Sequence, residues 1–392
     1  MAQMTKLERV LAAFDHQETD RVPLYDLMLN DDCIEYFTGV YAPYGEEGAK
    51  LQAQAVDRML DMARCVGVGP HPPPADFTDD PVLLKYARFA SLTYRLNPIR
   101  SYEEAVDWVK QRLLQLGKWR DHTDLAQVAA DNRRSFEKLY GWLSEDHVVC
   151  CLRQSGVGLD DIRGHVGIEF FSYLCADQPG LVAEFLELHT EQEVAVIHAI
   201  ADPALSPWAL TYGDIAAKNM LLHSPEWLRQ EFHPRLNRLN DAYHEHGIRC
   251  LFHSDGDIME ALPDLLATGI DGLNPLETVA GMDVGEVYRL YGDKLFLTGG
   301  IDMSQLLSNG TPAQVRAVCR KAIADAPTGY FMGSTTEIDN SARLENVLAI
   351  VEVSWGHHPS GARPDIMEQI RRRKERTRRH PRPAGLRRLT DG

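Results

Sequence analysis

The sequence predicts an α/β fold, a (β/α)8 TIM barrel with an N-terminal helical insertion. Two observations carry this reading. Short apolar runs alternate with capped helical segments through the second half of the chain, the rhythm of parallel β/α units. These units are too many in one run for a short open sheet, and no G-x-G-x-x-G follows a strand, which favours a closed barrel over a doubly wound sheet.

The elements follow in order. Residues 1–15 interleave Lys6, Glu8 and Arg9 with Leu7, Val10 and Leu11, an amphipathic helix pattern. Residues 21–26 read as a first strand. Residues 76–146 hold helical patterns with Trp108, Trp119 and Trp142, expected to form an insertion plus one further barrel strand. Residues 148–152 open the next unit. A strand over 208–212 ends at Gly213-Asp214, and a helix follows with Ser224 as cap, Pro225 in its first turn and Gly247 as its stop. The next strand, 248–252, ends at His253, after which Asp257 caps a helix through Leu266. A strand over 269–273 ends at Asn274-Pro275. Asp283 with Glu286, and later Thr311 with Gln314, mark helix starts, and Gly292 closes the first of these. Strands over 294–298 and 329–332 end at Gly299-Gly300 and Gly333-Ser334, with a helix over 342–352. Residues 1–360 are therefore expected to form the barrel, and 361–392 a basic tail, helical at first and then disordered.

Composition narrows the function. The chain has 392 residues, 44% of them apolar and 25% charged, with a formal net charge of −16. An acidic body speaks against nucleic acid as a partner. Neither a signal peptide nor a membrane span is expected. Seven cysteines without a C-x-x-C pair point to free thiols in a reducing compartment, so a cytoplasmic location is expected.

A barrel carries its chemistry at the carboxyl ends of its strands. The polar residues expected there are Asp26, Asp214, His253, Asp255, Asn274, Glu277, Asp302, Thr336 and Glu337. So many carboxylates would raise one another's pKa values unless a divalent metal or a cationic substrate sat among them. If the strand continues through His253, side-chain alternation puts His253 and Asp255 on one side, with Glu277 in reach from the next strand. One imidazole and two carboxylates suit a hard or borderline divalent ion. Plainer readings stand beside these: a histidine hydrogen-bonded to a neighbouring acid, Asp214 as a helix cap, Gly299-Gly300 as a turn, Asn274 as a loop holder.

The run Leu7-Glu8-Arg9-Val10-Leu11-Ala12-Ala13-Phe14 and the run Asp20-Arg21-Val22-Pro23 resemble the opening of uroporphyrinogen decarboxylase-like proteins. The likeness continues in order through Ser224-Pro225-Glu226, His246-Gly247, Phe252-His253-Ser254-Asp255-Gly256, Gly269-Ile270-Asp271-Gly272-Leu273-Asn274-Pro275, Gly299-Gly300-Ile301-Asp302 and Gly310-Thr311-Pro312. The chain is identified as a member of the uroporphyrinogen decarboxylase and corrinoid methyltransferase superfamily, to about residue 355, and the resemblance implies the same (β/α)8 barrel. Uroporphyrinogen decarboxylase itself holds its carboxylate-rich substrate with arginines in a stretch like Arg-Gln-Ala-Gly-Arg after the first strand. Here that stretch reads Tyr25-Asp26-Leu27-Met28-Leu29-Asn30-Asp31-Asp32, which disfavours haem-pathway decarboxylation on charge. The methyltransferase branch binds zinc through His, Cys, Glu and a later Cys. Those positions resemble His253, Asp255, Glu277 and the neighbourhood of Thr336 beside Glu337, so both thiolates are gone.

The resemblance implies zinc or another divalent metal on His253, Asp255 and Glu277. It also implies a methyl group moved from a small O- or N-methylated substrate to a corrinoid carried by a partner protein. Asp26, Asp214, His253, Asp255 and Glu337 are the catalytic candidates. Tyr25, Asn274, Gly300, Asp302 and Thr336 are the substrate contacts. The partners expected are a small-molecule substrate, a corrinoid protein and a second copy of the chain. The alternatives are a decarboxylase of a small carboxylic acid, working through Asp26 or Asp214, and a barrel that binds a ligand without catalysis.

Overall fold

The computed structural model describes residues 3–71, 99–357 and 364–379. Its elements begin with α1 (Lys6–Phe14), β1 (Tyr25–Asp26), α2 (Asp31–Thr38), α3 (Glu46–Met59), β2 (Met62–Ala63), α4 (Tyr102–His122) and α5 (Leu125–Tyr140). There follow β3 (Val149–Cys150), β4 (Gln154–Gly156), α6 (Leu159–Val166), α7 (Ile168–Asp177), α8 (Pro179–Ile200), β5 (Trp208–Tyr212), the strands β6 (Ala216–Ala217) and β7 (Met220–Leu221), α9 (Pro225–Trp227) and α10 (His233–His244). The chain ends with β8 (Arg249–His253), α11 (Leu262–Leu266), β9 (Gly272–Leu276), α12 (Val284–Tyr291), β10 (Phe296–Ile301), α13 (Pro312–Asp325), β11 (Tyr330–Ser334), α14 (Leu344–Trp355) and α15 (Pro364–Arg379). Apart from the antiparallel hairpin β6–β7, the paired strands are parallel. With 149–156 taken as one interrupted strand, this is the element order of a (β/α)8 barrel.

The chain divides into two compact units, Met1–Leu96 with Leu139–Cys150 and Thr298–Gly392, and Asn97–Lys138 with Cys151–Leu297. In the second unit the strands run in the order β9-β8-β5-β4. Their register lines up Gly156, Tyr212, His253 and Asn274 across the carboxyl ends. The Tyr212 ring lies where a side chain at 156 would be, 2.9 Å from an ideal Cβ, so glycine is required there. Trp208, Phe232, Tyr243 and Phe252 are fully buried beneath these ends. Ser224 caps the helical stretch as expected, its side chain accepting from the Trp227 amide, and a π-helical turn over Leu228–Phe232 joins α9 to α10.

In the first unit β1, β2 and β3 are neighbours, and Leu24 bridges Met332 in parallel. The charged residues of the N-terminal motif are structural. Arg9 donates to Asp20 (2.6 Å) and to the fully buried Asp61 (2.7 Å), and Arg21 donates to Asp61 at 2.7 Å. Asp61 in turn accepts from the Leu24 amide at 2.8 Å. This ion cluster ties α1 to the entry of β1.

Several elements depart from expectation. The extra barrel strand expected within 76–146 is β2, ahead of that stretch, and the part of the insertion before residue 99 lies outside the described residues. The helix expected from Asp257 begins at Leu262; Asp257 accepts instead from the Met259 amide at 3.1 Å. The strand expected over 269–273 is displaced to Gly272–Leu276. Gly269 sits in a turn at φ +79°, and the ladder starts only where Gly272 meets Leu251. The basic tail is helical in its first part as expected, but that helix, α15, packs on α2, and residues 380–392 lie outside the described residues. No helix among the described residues is long and apolar enough to cross a membrane.

Candidate functional site

The second unit gathers Asp214, His253 and Asp255, whose ligand atoms all lie within 4.8 Å of one another. The sheet supplies the histidine. His253 ends β8, is buried, and faces Asn274 across the ladder. Its Nδ1 donates to Asn274 Oδ1 at 2.7 Å. That bond leaves the lone pair on Nε2, which lies 3.9 Å from Asp214 Oδ1. Loops supply the acids, since β8 stops at 253 and alternation no longer applies beyond it. The two loops are stitched together. The Asp255 amide donates to Asp214 Oδ1 (3.1 Å), the Ile215 amide to Ser254 Oγ (3.1 Å), and the Asp257 amide to Ala217 O (2.9 Å). Gly256 makes the close approach possible at φ +88°, because a Cβ there would lie 2.6 Å from Ala217 O.

Glu277, expected as a metal ligand, is not part of this group. Its Oε2 accepts the Gly256 amide at 2.8 Å and so braces the loop that carries Asp255. Asp214, expected as a catalytic acid, stands in its place. One imidazole nitrogen and two carboxylates fit a divalent ion that keeps positions open for substrate. The donor set is hard, since no cysteine belongs to the cluster.

Two residues that sequence reasoning missed hold Asp214. Asp160 accepts its amide N–H at 3.2 Å, and Arg163 donates to its carbonyl at 2.5 Å. Burial, and then the neighbouring charge of Asp214, push the Asp160 carboxyl up to about 6. The signal in the sequence was the run Leu159-Asp160-Asp161-Ile162-Arg163 directly after Gly156-Val157-Gly158, a strand end opening into a helix. A second group, His244, Cys250 and Asp271, lies around the start of β8. There Asp271 already accepts from His244 (2.8 Å), the Cys250 amide (2.7 Å) and Arg249 (3.2 Å), a balanced structural cluster.

In the first unit Asp26 is buried at the end of β1. It accepts from the Leu27 amide (2.9 Å), the Ser334 amide (2.8 Å) and Ser334 Oγ (2.8 Å). Burial outweighs these donors and raises its carboxyl to about 7. Gly333 permits the approach, since a Cβ there would fall 1.9 Å from the backbone oxygen of Tyr25, itself a buried residue. Glu337 is half-buried. Its pKa is raised by burial and by Asp339, against the opposing charge of Arg64, a missed cation that follows β2. Thr336 is exposed. Gly300, expected in a loop after the strand, lies within β10 at φ +89°. Asp302, expected to bind substrate, caps the following turn: it accepts from the amides of Ser304, Gln305 and Leu306 at 2.8–3.1 Å.

A parallel α/β barrel with polar groups gathered at its strand ends is the architecture of an enzyme fold. Comparison with known proteins gives a partial match. Residues 162–355, just under half of the chain, match the family model of uroporphyrinogen decarboxylase (URO-D). No curated protein sequence matches the chain. Among solved structures, a methyltransferase from Methanosarcina mazei aligns over 90% of this chain and 99% of its own, with a TM-score of 0.64 and 17% identity. That likeness shows a shared fold. A xylose isomerase-like TIM barrel protein from Mycobacterium smegmatis, in complex with magnesium, aligns over 66% of this chain and 90% of its own. Its TM-score of 0.30 and 14% identity are too low to carry a structural argument.

Proposed function

We propose that this chain is a methyltransferase of the demethylating kind, taking a methyl group from a small O- or N-methylated substrate to a corrinoid carried by a partner protein. The observation that carries the reading is the convergence of Asp214, His253 and Asp255 at the ends of two neighbouring strands. A divalent ion held there would act as a Lewis acid on the leaving oxygen or nitrogen. The missing thiolates argue against a thiol acceptor, and the missing arginines of residues 25–32 argue against a polycarboxylate substrate. In the reaction the carbon–oxygen or carbon–nitrogen bond breaks and its electron pair stays on the heteroatom, which gains a proton. The methyl group joins a Co(I) corrinoid that supplies both bonding electrons. Within the chain, Asn274 holds the imidazole so that Nε2 faces Asp214, and Glu277 holds the Gly256 amide so that Asp255 keeps its place.

The test is a donor panel of methoxylated and N-methylated compounds incubated with Co(I) corrinoid, followed by the change in corrinoid absorbance. Methyl transfer that disappears in His253→Ala and Asp255→Ala supports the reading. Turnover of a donor with no dependence on corrinoid would refute it.

A second reading is favoured by Asp26, a buried carboxyl that keeps its proton close to neutral pH. Such a group suits protonation of carbon after loss of carbon dioxide. Carbon dioxide release from a small carboxylic acid by metal-free protein, abolished in Asp26→Asn, would decide for a decarboxylase.

A further inference from the structure

Asp214 belongs to neither a strand nor a helix, and its side chain is 42% exposed. A ligand on such a loop needs its backbone fixed if it is to meet His253 and Asp255 without reorganising. Both polar atoms of its main chain are gripped from α6. Asp160 takes the amide N–H through both carboxylate oxygens, at 3.3 and 3.2 Å. Arg163 takes the carbonyl through Nη1 at 2.5 Å. Asp160 and Arg163 are also paired with each other, one turn apart on the same helix. The four groups form a closed ring: carboxylate, amide, carbonyl, guanidinium. Arg163 is largely buried, its side chain 13% exposed. Gly158, just before α6, adopts φ +90°, and a Cβ there would stand 2.8 Å from the His189 ring. The start of the helix is therefore seated where it is by close packing. The Asp214 side chain is held from the other direction, by the Asp255 amide on its Oδ1.

We propose that Asp160 and Arg163 are positioning residues that set Asp214 for binding a divalent ion together with His253 and Asp255. The inference rests on the reading that these three side chains hold such an ion. Outer partners of this type orient ligands and typically change metal affinity by about 10- to 100-fold when removed. The planar guanidinium meets a carbonyl and a carboxylate at once, which a lysine ammonium on a flexible stem does less well.

The experiment titrates the full-length protein with Mn2+, followed by the resonance signal of the free ion, and with Co2+, followed by its visible absorption. Neither readout needs the substrate. Arg163→Ala is expected to weaken Mn2+ binding by about 10- to 100-fold and to alter the Co2+ spectrum. Arg163→Lys should recover part of the affinity. Asp160→Asn, which keeps a carbonyl oxygen for the Asp214 amide, should lose less than Asp160→Ala. Thermal melts without metal accompany each titration. If the variants melt lower but the folded protein binds Mn2+ as tightly as wild type, the residues are merely structural and the proposal is overturned. If wild type binds neither ion, the metal reading of the trio falls, and this proposal with it. If wild type binds and the variants bind equally, this proposal alone fails.

Discussion

Asp32 and Glu35 on α2 are 6% and 1% exposed, and Arg373 of α15 answers both of them. Its Nε donates to Glu35 Oε2 at 2.7 Å, its Nη2 reaches Asp32, and its guanidinium lies 4.4 Å over the Tyr41 ring. Arg373→Met keeps most of the stem and removes the charge. Removing one partner of a buried pair typically costs about 3–5 kcal/mol, because the other charge stays buried. Two neighbours soften the loss here. Gln369 still donates to Glu35 at 2.8 Å, and Lys374 still pairs with Asp32. The lower end, about 3 kcal/mol, is therefore expected. α15 is otherwise seated by Ile366 and Ile370, both buried, each contributing roughly 1.5–3 kcal/mol. The cheapest response is to let the helix undock and water reach the acids, so the effect is local. Amide hydrogen exchange across 366–376 should accelerate by about 100-fold, as 1.4 kcal/mol is a factor of ten, with a smaller change in the denaturant midpoint. Adding Glu35→Gln to Arg373→Met should restore most of the protection. Unchanged exchange in the single variant would refute the reasoning, because it would make this pair worth no more than an exposed surface bridge.

Three further outcomes are expected. Asp26 has its folded pKa raised from 3.8 to about 7 by burial. The folded state therefore binds that proton more tightly than the unfolded chain, and stability from this group is present at low pH and lost as pH rises through about 7. The window between pH 4 and 7 carries up to about 4 kcal/mol, and denaturation midpoints measured across it should fall with pH in wild type and flatten in Asp26→Asn. Divalent-ion affinity should fall by more than about 100-fold in His253→Ala and by less than about tenfold in Glu277→Gln, which keeps an acceptor for the Gly256 amide; equal losses by calorimetry would return Glu277 to the ligand set. Gly256→Ala forces a side chain into the Ala216–Ala217 backbone at φ +88°, so it should cost about 1–3 kcal/mol of stability in thermal melts and weaken ion binding with it.

The sequence by itself determined the elements whose signals are local. Ser224, Asp283 and Thr311 cap their helices as read, each accepting the amide three residues on, and the strand over 208–212 appears with those bounds. Such signals are satisfied within one turn of chain, so no tertiary context is needed to see them. β1 and β3 fall within the stretches 21–26 and 148–152 read as strands, but β2 and the register of β9 were not legible, because a strand is completed by its neighbour and Pro275 reads as a stop until β8 is beside it. The same division holds at the candidate site. His253 and Asp255 stand two residues apart and could be read together. That Asp214 and not Glu277 stands in the cluster with them could not, because it depends on how the loops are held, through amides 41 residues from Asp214 and 21 from Glu277. Arg373 looked like part of a solvated basic run, and its burial came from acids 341 and 338 residues distant. Caps and periods are chosen by the nearest atoms, whereas ligand sets and buried ion pairs are chosen by partners that only the packed chain brings within hydrogen-bond reach.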